Sequence, residues 1–400
     1  MSTSRRPRIA FWFRYGAAEH TELFHALPDI LTELSKHAEV HYYGLKSTRP
    51  VPEEIARHVI VHELPFRVNR TSTRDKFLKT ALWLLCLPFV ALHSLISGVD
   101  AVYIDETIPF TTLIGRVFFG RKVSVTVVDF FVDIYMKGGL LHAIGRTIRR
   151  IDMATWKTLP LIFTRARSTK AYLVQQGIPE ARIHPVYDPC DLRIYHPTDR
   201  VAAKARLGLA PTTVVLVHHG ILHPNKGNDR VLKAIAPLKT THPQFRYLLV
   251  GDGPEMQNLR DLTKQLGIED MVLFTGWLKT LPEVNDALNA GDIGLVMRVG
   301  AESDDFHMTG ALVHSLACGL PVLAAHLKGV AEVVVEDVNG FLFKPDDMPA
   351  FHAKLVRLIE DAALRERLGK AALQTAYDNF DMERVKRQTV DPLLALAQSP

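Results

Sequence analysis

What most constrains this chain is an alternation written twice over, in which short β-branched and aromatic runs are separated by stretches with helical spacing. In the first half the strand candidates are "RIAFWF", "EVHYYG", "AVYIDE", "KVSVTVV" and "LIFTRA". In the second half they are "TTVVLVHHG", "FRYLLVGDG", "MVLFTG", "IGLVMR", "PVLAA" and "GFLFK", with "NDRVLKAIAPL", "EMQNLRDLTKQLG", "LPEVNDALNAG" and "MTGALVHSLACG" as helices between them. Strands that alternate with helices make parallel sheets, because a parallel neighbour is reached only through a crossover. The near-continuous apolar character of the runs points to sheets covered on both faces. Between the halves "YDPCDLRIYHPTD", residues 187–199, loses its periodicity and gathers Pro and Asp, as a linker does. The pattern predicts an α/β chain of two Rossmann-like domains facing a cleft, divided near 195/196. With 47% hydrophobic residues over 400 positions there is apolar material for both cores. In such sheets ligands bind beyond the carboxyl ends of the strands, so the loops there are the places to search.

Composition narrows the setting. Cys86, Cys190 and Cys318 lie far apart with no Cys-x-x-Cys pair, which suggests neither a disulfide framework nor a cysteine zinc site. A reducing cytoplasm is the expected compartment, since "MSTSRRPRIAFWFRYG" runs into a strand without the apolar core of a signal peptide. Charge is unevenly spread: residues 1–200 carry 27 Lys and Arg against 19 Asp and Glu, or +8, and residues 201–400 carry 21 against 24, or −3. A basic half suits nucleic acid, an anionic membrane or an acidic substrate, and the lack of RNA-binding or zinc-finger patterns argues against nucleic acid. "FLKTALWLLCLPFVALHSLI", residues 77–96, is apolar nearly all round and follows Arg67, Arg70, Arg74 and Lys76. A membrane span, a helix lying in the headgroup layer and a buried core helix all remain open for it, and the basic flank favours contact with an anionic membrane surface through residues 67–96.

Several loops carry chemistry. "HHGILHPNKGNDRVL" leaves a strand, turns at Gly220 and brings His223 and Lys226 to the start of a helix, with Asn228 or Asp229 as the expected cap. An ammonium beside unpaired helix amides is a seat for a diphosphate, although a solvated lysine in a turn reads the same. In "LVGDGPE", Gly251 and Gly253 permit close approach of backbone, to a ligand or merely to a neighbouring loop. Met308, Thr309 and Gly310 precede a helix over 311–317, whose first amides and positive dipole end seek an anion. Further on, Gly329 turns the chain toward Glu332, whose carboxylate can accept from a sugar or ribose hydroxyl.

The order "GILHPNKG…VGDGPE…FTGWL…LACGLPVLAAHLKGVAEVVVEDVNGFLF" resembles the donor-nucleotide domain of the GT-B glycosyltransferases, most closely glycosyltransferase family 4. The resemblance implies a GT-B fold with an acceptor-binding domain over 1–195, a donor-binding domain over 196–378 and a terminal helical segment over 379–400 that crosses back to the first domain. It also implies transfer of a sugar from a nucleotide diphosphate donor to an acceptor bound by the first domain, with retention, no cofactor and usually no essential metal. That the acceptor is a glycan or lipid-linked is an expectation, its membrane part resting on residues 67–96 and the basic first half. Lys226 matches the lysine that holds the donor phosphates, and Ile221 stands where the family commonly has an arginine. The family's Glu-x7-Glu pair falls on Phe306 and His314. His314 can still bond a hydroxyl, whereas Phe306 cannot, which leaves Asp304, Asp305 or His307 to replace that carboxylate.

On the acceptor side, Gly16, Glu19, His20, Asp105, Glu106 and Asp129 stand at expected strand ends, with Asp129 near the position of a family histidine. Lys226, Asp129 and His307 are the candidate catalytic residues. The last stretch reads as amphipathic helices, the final one broken at Pro392. Two functions compete: a cytoplasmic, peripheral-membrane glycosyltransferase of polysaccharide or glycolipid assembly, and a catalytically reduced GT-B protein that binds nucleotide sugar or a partner transferase. A sugar-nucleotide epimerase is a more distant third.

Overall fold

The computed structural model describes residues 5–24, 26–68, 73–128, 139–299 and 308–399. The chain divides into two compact units, one of Met1–Asp188 with Glu383–Pro400 and one of Pro189–Met382.

The first unit is built on seven parallel strands: β1 (Arg8–Trp12), β2 (Glu39–Leu45), β3 (Ile60–Leu64), β4 (Ala101–Ile104), β5 (Val123–Val127), β6 (Leu161–Thr164) and β7 (Ile183–Pro185). Their order is β3-β2-β1-β4-β5-β6-β7, so the winding reverses between β1 and β4. The five strands expected from the sequence are present, and β3 and β7 are additional edges. Helix Thr73–Ile96 lays Trp83, Leu87, Val90 and Ala91 into the same core as Trp12, Ile104 and Val125. Its other face is apolar and outward: Leu85, Phe89 and Ile96 are 66%, 70% and 76% exposed. By length and composition this helix could cross a membrane, yet its inner stripe is a structural part of the first unit.

The second unit has six parallel strands: β8 (Val214–His219), β9 (Phe245–Val250), β10 (Val272–Gly276), β11 (Ile293–Val296), β12 (Val322–Ala325) and β13 (Gly340–Phe343). The order β10-β9-β8-β11-β12-β13 reverses between β8 and β11. Each of the six matches a strand expected from the sequence. β9, β11 and β12 are buried almost throughout, as strands sandwiched between helices must be.

Two local expectations are corrected. Helix Asn228–Ile235 is preceded by Gly227 at φ 58°, not capped by Asn228 or Asp229. Asn228 is buried instead, and its side chain accepts from the Tyr247 hydroxyl at 2.7 Å. The last helix, Met382–Gln398, runs straight through Pro392. Buried Val385, Val390 and Leu393 hold it on either side of the proline, so packing outweighs the lost backbone bond. Its carboxyl end is met by Lys122 of the first unit, whose Nζ donates to the Leu396 carbonyl at 3.4 Å, a cation placed where a helix presents unpaired carbonyls.

Candidate functional site

The winding of the second sheet reverses between β8 and β11, and the loops that leave these strands carry the charged and polar groups. After His219 the chain turns at Gly220 (φ 122°), tucks Leu222 into the core and forms a short 3-10 turn, Pro224–Lys226. His223 closes that turn on itself, with Nδ1 3.1 Å from Asn225 Oδ1. Lys226 is partly buried. Its charge is felt at two rings at the end of β8: burial, then the Lys226 ammonium, pushes His219 down to about 4 and His218 to about 3. Both histidines are therefore neutral at physiological pH, and Lys226 brings a positive charge to this corner.

His219 leads to the next element. Its Nε2 lies 3.3 Å from Nδ1 of His314, which stands one turn inside helix Gly310–Ala317. Stacking on Tyr195, with ring centroids 3.8 Å apart and planes 8° from parallel, fixes the His314 ring. Thr309 caps the helix by accepting from the Leu312 amide at 3.3 Å, leaving the amides of Gly310 and Ala311 with no preceding turn to bond. Met308 is buried just ahead of the cap, and Gly310 is exposed. A cation, a helix start and an aromatic-clamped imidazole thus gather within the second unit, an arrangement suited to an anionic ligand that also carries hydroxyls.

Gly251 and Gly253 serve packing. Gly251 has φ 136°, and a Cβ on it would fall 2.2 Å from the Gly220 oxygen; one on Gly253 would fall 2.4 Å from the Leu222 oxygen. The two loops are zipped by backbone bonds from Gly220 N to Val250 O, from Leu222 N to Asp252 O and from Glu255 N to Leu222 O. These glycines hold the Lys226 loop in place. Glu332 ends the 3-10 turn Val330–Glu332 after β12, one strand beyond β11. Asp129, Asp305 and His307, with Asp304 and Phe306, lie outside the described residues.

In the first unit the acceptor-side candidates surround the reversal between β1 and β4, and they are buried. Asp105 takes bonds from His20 Nε2 (3.2 Å), the Tyr103 hydroxyl (2.9 Å) and Arg165 Nη2 (3.2 Å). Burial alone would raise its pKa, but Arg165 and His20 hold it below the usual range. Glu19 accepts from the Thr48 amide at 2.6 Å, and Gly16 lies so close to Ser47 that a Cβ would fall 2.2 Å from its Oγ. Glu106 pairs with Arg14 at 3.2 Å, yet burial outweighs that charge and lifts its pKa to about 7. These side chains build the rim of the loops by binding one another. Arg14 also donates to Thr80 Oγ1 at 2.7 Å, and Lys79 Nζ sits 4.5 Å from the Tyr15 ring centre, so the apolar helix abuts the β1 loop.

Sequence reading overlooked Tyr195, which sits in the linker without any local signal, and Arg165, which follows β6 at a strand end where the search rule applied. Arg298, two residues past β11, meets the same rule.

Residues 199–375 match the family model for glycosyl transferases group 1. The N-acetyl-alpha-D-glucosaminyl L-malate synthase of Bacillus anthracis is 26% identical over 347 residues, covering 83% of this chain and 87% of that protein. A D-inositol 3-phosphate glycosyltransferase of a Nocardioides species is 31% identical over 222 residues, 53% of this chain and 48% of its own length. The chain thus spans most of the first relative and about half of the second. In fold, it is similar to Anabaena HepE in complex with UDP, with a TM-score of 0.73, 20% identity and coverage of 97% of this chain and 100% of that one. It is likewise similar to sucrose-phosphate synthase from Thermosynechococcus elongatus, with a TM-score of 0.76, 17% identity and coverage of 97% and 98%.

Proposed function

Because the chain belongs to the group 1 glycosyltransferases, enzymes of GT-B fold that draw on nucleotide sugars, we propose that it glycosylates a lipid-linked or polysaccharide acceptor at an anionic membrane surface, with retention. The observation that carries this reading is the outward apolar face of helix Thr73–Ile96, with Leu85 66% and Phe89 70% exposed on a helix whose opposite face is core. Exposed Arg67 and Arg74 precede and open it, a basic flank suited to anionic headgroups. The inner face of the same helix touches the β1 loop through Thr80 and Lys79. An acceptor anchored in lipid would therefore arrive beside the loops that border the reversal between β1 and β4. The cytoplasmic face of a membrane is the setting that fits.

At the donor end, Lys226 and the first amides of helix Gly310–Ala317 take the diphosphate. Negative charge grows on the departing phosphate oxygen as the glycosidic bond breaks, and fixed positive groups there stabilise the transition state more than the ground state. His314, clamped by Tyr195 and bonded to His219, offers a neutral imidazole to a sugar or ribose hydroxyl.

The test incubates the purified chain with UDP-glucose and UDP-N-acetylglucosamine, each with extracted membrane lipids and, separately, with water-soluble acceptors. Label entering the organic phase, and lost in Lys226→Ala, is the expected result. Transfer confined to soluble acceptors would overturn the lipid-linked reading.

A further inference from the structure

We propose that Arg298 is the second cation of the donor diphosphate site, opposing Lys226 across the reversal between β8 and β11; this rests on the nucleotide-sugar reading above. A nucleoside diphosphate brings two adjacent anionic phosphates, and the loop after β8 contributes one lysine and an outward Ile221, 56% exposed. The other strand bordering the reversal is β11, and Arg298 leaves its carboxyl end.

Two independent observations fix the side from which Arg298 projects. A Cβ on Gly227 would touch Val299 Cγ1 at 2.9 Å and Met297 Cε at 3.3 Å, so residues 297 and 299 face the turn that carries Lys226. Alternation then turns Arg298 to the opposite face. On that face a Cβ at Gly294 would fall 2.7 Å from Ser315, which belongs to helix Gly310–Ala317. Helix Gly310–Ala317 lies between the parallel strands β11 and β12, so it runs back along the sheet and its first turn lies at the β11 end from which Arg298 projects. The register pairs Gly294 with Val217. Carried to the ends of the two strands, it sets Val296, two residues before Arg298, beside His219 of the His219–His314 pair. The backbone there is tied to the lysine loop, because the Val299 amide donates to the Asn225 carbonyl at 2.9 Å. Arg298 Nε is buried while the residue as a whole is partly exposed, and a charge partly withdrawn from water interacts more strongly with a phosphate.

A planar guanidinium can bridge two phosphate oxygens while the lysine ammonium acts as a point charge, so the two cations differ in what they recognise. Arg298 then reads the diphosphate and contributes nothing to the base.

The test measures binding of UDP, ADP and GDP, and of the matching nucleosides, to the wild-type chain and to Arg298→Lys and Arg298→Gln. Thermal denaturation of each variant checks the fold. Loss of roughly 10–100-fold in nucleoside diphosphate affinity is expected for Arg298→Gln, with partial recovery in Arg298→Lys and the nucleoside affinity unchanged. The slope of log affinity against log salt should also become shallower. Diphosphate affinity at the wild-type level in Arg298→Gln overturns the inference, and so does an equal loss for diphosphate and nucleoside. Failure of the wild-type chain to bind any of the three diphosphates would instead sink the nucleotide-sugar reading on which it stands.

Discussion

Substituting Leu85 and Phe89 by glutamate tests the proposed membrane-facing role of helix Thr73–Ile96 without disturbing the core. Fully burying a Leu or Phe side chain is worth about 1.5–3 kcal/mol. With 66% and 70% of these residues exposed, lipid contact still has about two-thirds of that to gain, or about 1–2 kcal/mol each. Each introduced carboxylate near an anionic surface adds repulsion of about 1 kcal/mol. The double variant should therefore lose about 4–6 kcal/mol of membrane affinity, three to four orders of magnitude in the partition coefficient. Its folding stability should stay within about 0.5 kcal/mol of wild type, because both side chains point away from Trp83, Leu87 and Val90. Cosedimentation with phosphatidylglycerol-rich vesicles, read beside urea denaturation, measures both quantities. Wild-type protein should pellet at low salt and partly at high salt, since the apolar share of binding is not screened. The reasoning is refuted if L85E/F89E pellets as wild type does, or if wild type stays in the supernatant at low salt.

Other outcomes follow from the same structure. Gly251→Ala places a Cβ 2.2 Å from the Gly220 oxygen at φ 136°, so urea denaturation should show about 2–4 kcal/mol of lost stability; normal stability with nucleotide binding abolished would make this glycine a ligand contact instead. Lys226→Ala should lower kcat by about 10²–10³-fold in a sugar-transfer assay while leaving the circular dichroism spectrum unchanged. Asp105→Asn removes one of the two carboxylates paired with Arg165, the other being Asp188, and should cost about 1.5–3 kcal/mol in equilibrium unfolding. His218 and His219 have folded pKa values near 3 and 4, below the unfolded value. Their contribution is complete above pH 6.5 and is lost as pH falls from there toward 4, because the unfolded chain takes up protons first. Melting temperature across that range checks the sign, and His218→Gln should flatten the profile.

The sequence made the architecture readable because buried parallel strands announce themselves as continuous apolar runs; β8, β9 and β11 stand out for that reason. β3 was missed because an edge strand is half in water, and "IVHEL" mixes charge and imidazole into its pattern. β7 has three residues and ends in Pro, which only an edge admits. At the site, the strand-end rule located Lys226, Asp105 and Glu106 but could not assign partners. Asp105 meets Arg165 sixty residues later, and His314 meets His219 ninety-five residues earlier. Such pairings are set by the winding of the sheet, which no local window contains. The two roles open to Gly251 and Gly253 were separable only by the neighbouring loop they accommodate. Pro392 misled because a helix breaker acts on an isolated helix, whereas this one is seated along its length.

The first unit borrows its last helix from the far end of the chain, while the second is one uninterrupted segment. On the ribosome the middle of the protein can reach its final form before the beginning does, because Lys122 must wait for the carbonyls of Leu396 and Ala397 to be made. A premature stop near residue 382 would accordingly spare the second unit and leave the first unfinished.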